Sequence, residues 1–210
     1  HPLIIGNDHV IDVEVSLKRN GEVETIEAED KKERDQDRID VTTLERQKEA
    51  IMVVFHEAKH FTNPALRAKE PNEPDVIRQL KDYRKAIADH GPSLIERYKA
   101  TCRAHQKLDA MRQHVRAKHG KPTKELNPLI REVAAGIAKL IIDPNPRLVI
   151  FGFDADQRDH RLDRNERALK DAARERLGVD LSIDKIGTPT FATRAFPLPA
   201  RSRGKKITPE

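Results

Sequence analysis

Residues 10–17 alternate strictly, with Ile11, Val13, Val15 and Leu17 interleaved with Val10, Asp12, Glu14 and Ser16. That is the period-two pattern of a strand with one buried face. Asn20-Gly21 is a hairpin turn signal, and 23–28 reads as the returning strand. The charged run 29–38 leads into a further β-type segment, Ile39-Asp40-Val41-Thr42-Thr43-Leu44. Residues 50–58 form an apolar run rich in β-branched side chains, the pattern of a central strand buried on both faces.

After Asn63-Pro64 the period changes. Pro74-Asp75 opens a helix carrying Val76, Ile77, Leu80, Tyr83, Ile87 and Ala88 at helical spacing, which His90-Gly91-Pro92 is expected to close. The next stretch, 93 to about 119, is highly charged and helical and ends at Gly120-Lys121-Pro122. A further helix is expected over 129–142, stopped by Asp143-Pro144-Asn145-Pro146. A late strand follows over 147–153, then an amphipathic helix over 161–177 with Gly178 as its C-cap. This order predicts one α/β domain over 1–187, a mixed central β-sheet flanked by helices, with 93–128 as a helical insertion. Residues 188–210 read as a weakly ordered basic and proline-rich tail.

Composition narrows the picture. Charged residues make up 36% of the 210 and aromatics only 4%, yet apolar runs survive at 51–55, 137–142 and 148–153, so the chain has a core beneath a charged surface. The net charge of +5 is unevenly spread: the segment before residue 50 is acid-rich, whereas 97–124 and 201–206 are basic. A phosphate-rich partner is compatible with that distribution, as is plain solvated surface. Cys102 is the single cysteine, so an intrachain disulfide and a thiolate zinc cage are excluded. No run approaches the roughly 18 apolar residues of a membrane span, and the reading is of a cytoplasmic protein. The chain starts on His1, which suggests a processed or excised piece of something longer.

The chemistry concentrates around residues 40 and 56–60. Phosphodiester cleavage needs a neutralised phosphate and an activated water, which a hard divalent cation held by carboxylates supplies, with a lysine to orient the water. Asp40 lies in one β-type segment; Glu57 and Lys59, two apart near the end of the next, project from one face of a strand. The Ala58 backbone carbonyl offers a further oxygen. No glycine-rich phosphate loop and no serine nucleophile elbow is present.

Three ordered pieces resemble the PD-(D/E)xK, or restriction-endonuclease-like, nuclease superfamily: Arg38-Ile39-Asp40-Val41, then Val53-Val54-Phe55-His56-Glu57-Ala58-Lys59, then Gln79-Leu80-Lys81-Asp82-Tyr83 on a helix. The last is similar to the Gln-x-x-x-Tyr motif of the branch that includes recombination-helicase nuclease domains. The resemblance implies a restriction-endonuclease-like core and a DNA nuclease of bacterial repair or of defence against foreign DNA. It implies magnesium, replaceable by manganese, at Asp40, Glu57 and the Ala58 carbonyl, with Lys59 assisting the water. Gln79 and Tyr83 would buttress the site or touch the nucleic-acid backbone, and 97–124 would contact phosphates. A homodimer, or a fused or associated helicase or ATPase module, is an open partner. Many members of that superfamily carry another acidic residue on a helix upstream of the first core strand; here the expectation is either that this helix was lost with an upstream segment or that Asp12, Glu14 or a residue of the acidic run 27–30 fills the role.

Two other readings compete. A non-catalytic nucleic-acid-binding or assembly module would keep this fold without needing all of Asp40, Glu57 and Lys59. His56-Glu57-Ala58-Lys59-His60 also matches the His-Glu-x-x-His signature of zinc metalloproteases, which requires a helix. The β-branched run before it, Pro64 soon after it and Lys59 between the two histidines all oppose a helix there.

Overall fold

The computed structural model describes residues 4, 6–18, 36–67, 73–157 and 163–187. Strand β1 (Val10–Lys18) pairs antiparallel with β2 (Gln36–Gln47), from Val10 opposite Thr43 to Lys18 opposite Gln36. The turn expected at Asn20-Gly21 and the strand expected over 23–28 lie outside the described residues. β2 turns into β3 (Ala50–His60) through Lys48-Glu49, where Lys48 takes φ 54° with no glycine or asparagine to ease it. The left-handed region is costly for a side chain such as lysine, and the sequence carries no turn signal at this point.

β3 is the hub of the sheet. On its other side it pairs in parallel with β4 (Lys139–Ile142) and then with β5 (Arg147–Phe151). Val53 faces Ile142 and His56 faces Arg147, so the neighbour spends two more residues than β3 between these points and bulges outward. Pro144 and Pro146 lie in that bulge, and neither has an N–H with which to continue a ladder. β6 (Ile183–Ile186) adds in parallel to β5, completing a mixed six-stranded sheet in the order β1-β2-β3-β5-β6, with β4 beside β3.

The helical reading needs two corrections. His90-Gly91-Pro92 does not end a helix: α1 runs unbroken from Asp75–Lys118, 44 residues, with Pro92 inside it. An interior proline costs about 3 kcal/mol. Against that, Leu94, Tyr98 and Cys102 continue the buried stripe of Leu80, Tyr83 and Ile87 across the proline, and burying a large apolar side chain yields about 1.5–3 kcal/mol. Pro92 faces solvent, and the Ser93 hydroxyl donates to the His90 carbonyl at 2.8 Å. Residues 93–118 therefore continue the helix that starts at Asp75.

The second correction concerns 129–142. α2 (Pro128–Ala134), capped by the Asn127 side chain on Leu129 N at 2.9 Å, stops after two turns, and 139–142 is strand β4. The stop is Gly136 at φ 71°, with Gly136 N on the Val133 carbonyl and Ile137 N on the Glu132 carbonyl, the paired closing bonds of a Schellman end. Beyond the short helix α3 (Ala155–Gln157), α4 (Asp163–Leu177) ends at Gly178, φ 65°, as its sequence requires.

α1 and α2 cover one face of the sheet, where Tyr98 meets Phe55 with ring centroids 6.1 Å apart. The other face buries Val41 and Val149 and, unusually, a polar group: Thr43 Oγ1 and His56 Nε2 at 2.9 Å, and the Arg147 guanidinium on Glu45 at 2.9 Å and Asp143 at 3.4 Å. Burial, then the charges of Arg147 and His9, hold the His56 pKa down at about 3. A histidine depressed in the fold is neutral there while the unfolded chain protonates below about 6.5, so its contribution is complete above pH 6.5 and lost as pH falls toward 3. Between pH 6.5 and pH 4 that loss is about 3 kcal/mol. His56→Gln should flatten the urea-denaturation stability profile over this interval by that amount relative to the native chain; parallel profiles would show that His56 takes its proton in the fold. No helix among the described residues is long and apolar enough to cross a membrane.

Candidate active site

The site lies where two strands part. β2 and β3 pair from Gln47–Ala50 down to Val41–His56 and no further. Below that point the Asp40 end of β2 follows β1, while Glu57–His60 of β3 follow β5. A fork strands backbone groups that a ladder would have satisfied, and buried groups of this kind need partners. The Asp40 carboxylate supplies one, accepting from the Ala58 N–H at 2.8 Å. Tyr83 supplies the other from α1, its hydroxyl meeting the Arg38 carbonyl.

Glu57, 1% exposed, points into the same region. One carboxylate oxygen pairs with Lys59 Nζ and the other accepts from the Tyr83 hydroxyl at 2.9 Å. Gln79, one turn before Tyr83, donates its amide to the Tyr83 oxygen at 2.7 Å. The single phenolic hydrogen cannot serve Arg38 and Glu57 at once, so the cluster is short of a proton or of a cation. Electrostatics point the same way. Burial, then the negative charge of Asp40, push the Glu57 carboxyl up to about 7 against the opposing pull of Lys59 and Tyr83. Tyr83, buried beside Glu57, is held well above the usual phenol range.

Asp40, Glu57, Lys59, Gln79 and Tyr83 are thus gathered at one junction. Tyr83 is buried in the apolar stripe of α1 and also bonded to the cluster, so its packing and polar roles coincide. Beside the fork a cavity of about 270 Å³ is lined by Asp40, Ala58 and Glu14, with Ile4, Val13, Val41 and Phe151 as its apolar wall. Glu14 sits in β1 at φ 52°, strained for a side-chain-bearing residue, between the pairs Val13–Val41 and Val15–Ile39. Of the upstream acids left open by the sequence, Glu14 shares the cavity with Asp40, and 27–30 lies outside the described residues.

The histidines go elsewhere. Residues 51–60 are strand, so His56 and His60 lie on the face opposite Glu57, roughly 13 Å apart along the chain. His56 meets Thr43, and His60 meets Thr62 Oγ1 at 2.8 Å and packs edge-on against Phe151. The helix that a His-Glu-x-x-His zinc site requires is absent from this segment. Asp154 accepts from Gln157 N at 2.7 Å while Gln157 Oε1 accepts from Asp154 N, closing a capping box on α3.

The candidate donors are of the kind a hard divalent ion takes, although both Glu57 oxygens are engaged within the protein. Asp40, Glu57 and the Ala58 carbonyl are all oxygens, and magnesium commonly takes only one or two carboxylates with water and substrate oxygens for the rest. Among the described residues no group of three or more His, Cys, Asp or Glu side chains is arranged to enclose a metal, as a dedicated cage would need. Compared with known proteins, the chain matches no family model, no curated protein and no solved structure, so the site stands on its own geometry.

Proposed function

We propose that this chain is a magnesium-dependent nuclease with a restriction-endonuclease-like core, hydrolysing phosphodiester bonds in DNA in bacterial repair or in defence against foreign DNA. The observation that carries the reading is the fork: an aspartate on one departing strand and a Glu-x-Lys pair on the other, buttressed by a Gln-x-x-x-Tyr pair from the next helix. Asp40, Glu57 and the Ala58 carbonyl would hold such an ion, whose chemistry would be charge neutralisation on the scissile phosphate and a more acidic bound water. Asp40 braces the Ala58 backbone through its N–H, one residue's span from the Ala58 carbonyl in the following peptide. Tyr83 and Gln79 hold Glu57 on its strand. Lys59 orients the attacking water and carries positive charge to the phosphate.

The test is plasmid cleavage by the purified chain. Magnesium or manganese should support it and EDTA should stop it. Asp40→Asn should lower it about 10²-fold or more, the scale for losing one electrostatic element of a preorganised site. Cleavage that persists in EDTA would remove the cation from the account.

A second reading is a DNA-binding or assembly module without catalysis. It is favoured by one observation, that Glu57 is almost wholly buried with both carboxylate oxygens engaged. Gel-shifted DNA left uncut in either metal would select it.

A further inference from the structure

Two irregularities in β1 build one wall of the cavity beside Asp40. In an unbroken strand Ile11, Val13, Val15 and Leu17 would share a face. Ile11, Val15 and Leu17 do lie in the main core, but Val13 is 42% exposed and lines the cavity. A register shift between Val10 and Asp12 and the φ of 52° at Glu14 stand on either side of Val13 and turn it away from the other three. A positive φ is costly for a residue with a side chain, and a large apolar side chain left in water forgoes its burial. Strain kept around a cavity points to something that the cavity holds.

Its wall says what that is. A volume of about 270 Å³ lies just under the roughly 300 Å³ at which small-molecule pockets begin, room for one flat ring system. Ile4, Val13 and Val41 offer apolar contact and Phe151 an aromatic ring. The polar side is Asp40 and Glu14, carboxylates that repel a phosphate and accept from an N–H donor. Asp40 already accepts from the Ala58 N–H, so the acceptor offered to a ligand is Glu14. The cavity opens on the sheet face away from Glu57 and Lys59, but it shares Asp40 and Ala58 with the fork, where no ladder closes β2 onto β3.

We propose that this cavity receives one unstacked nucleobase of the DNA strand, the base beside the scissile phosphate, with Glu14 accepting from its exocyclic amine and Phe151 and Val13 against its ring. Adenine, cytosine and guanine are then preferred there over thymine, which has no exocyclic amine. A role for Glu14 as a further metal ligand accounts for the carboxylate and leaves the apolar wall unexplained. The inference rests on the nuclease reading, and its test separates the two.

The full chain is mixed with short DNA duplexes carrying 2-aminopurine at successive positions, first in EDTA and then in magnesium. The analogue beside the mapped cut should brighten at least about threefold as it leaves the stack. Val13→Trp fills the cavity from an exposed position, so melting should hold while the brightening is lost and cleavage falls about tenfold or more. An abasic nucleotide at that place should return the variant to within about twofold of the native chain on the same substrate. Glu14→Gln should narrow the preference over thymine by about fivefold and leave the magnesium requirement as it was. Cleavage without brightening, a Val13→Trp defect that persists on abasic DNA, or a raised magnesium requirement in Glu14→Gln overturns the pocket and leaves the nuclease standing. DNA that is bound and brightened but uncut in magnesium removes the nuclease and keeps the pocket. DNA neither cut nor bound removes both.

Discussion

Lys59→Ala should lower magnesium-dependent DNA cleavage by about 10²–10⁴-fold, the range for removing a group that handles a proton in the rate-limiting step. The chain should still fold and still bind DNA. Lys59 is paired with a glutamate that is 1% exposed, and stripping the partner from a buried carboxylate is ordinarily severe. Here the Glu57 carboxyl already sits at about 7, so in the variant it takes up a proton instead of remaining a bare anion. Tyr83 keeps its contact with it. The magnesium dependence of the variant separates two roles: excess magnesium restores cleavage if Lys59 only steadies Glu57, and restores nothing if Lys59 handles the water. Retention of more than about a tenth of native cleavage, with folding confirmed, would take the lysine out of the chemistry.

Arg147→Met should cost about 3–5 kcal/mol of unfolding free energy at pH 8, the scale for orphaning a buried ion pair. The guanidinium holds Glu45 at 2.9 Å and Asp143 at 3.4 Å with the three side chains only 21%, 8% and 14% exposed, and it also acts on Asp184. Burial already raises the Glu45 and Asp184 carboxyls, against the pull of Arg147. Without Arg147 they rise further, so the folded variant gains protons as pH falls and its deficit shrinks toward pH 5. Glu45→Gln in the same chain should recover part of the loss, because it removes the carboxylate left unpaired. Urea denaturation at both pH values measures this; a deficit under about 1 kcal/mol at pH 8 would place the cluster with exposed surface pairs.

This polar group and the Glu57–Lys59 pair occupy opposite faces of β3, whereas the cavity beside Asp40, walled by Val41 and Phe151, opens on the polar group's face. His56 and Glu57 are neighbours in sequence, yet one turns to Thr43 and the other to Lys59 and Tyr83. A substitution at either will therefore be read differently: His56 through stability and its pH dependence, Glu57 through cleavage.

What the sequence determined by itself was local and periodic. Alternation over 10–17, the β-branched run from Ile51 and the Pro74-Asp75 start correctly place β1, β3 and the beginning of α1, because side-chain period and cap chemistry act within a few residues. Asp40, Glu57 and Lys59 were legible as candidates from their spacing on extended segments. Gly136 carried a stop signal that outweighs the apolar pattern of 129–142. Only the tertiary structure decided that α1 continues through Pro92, since the burial of Leu94, Tyr98 and Cys102 that offsets the proline exists only against the sheet. It alone decided that β2 and β3 part below Val41 and His56, and that Asp40 and Tyr83 fill the backbone vacancies this leaves. A fork arises from which strands each neighbour pairs with, and pairing between segments distant along the chain has no signature in the period of either one.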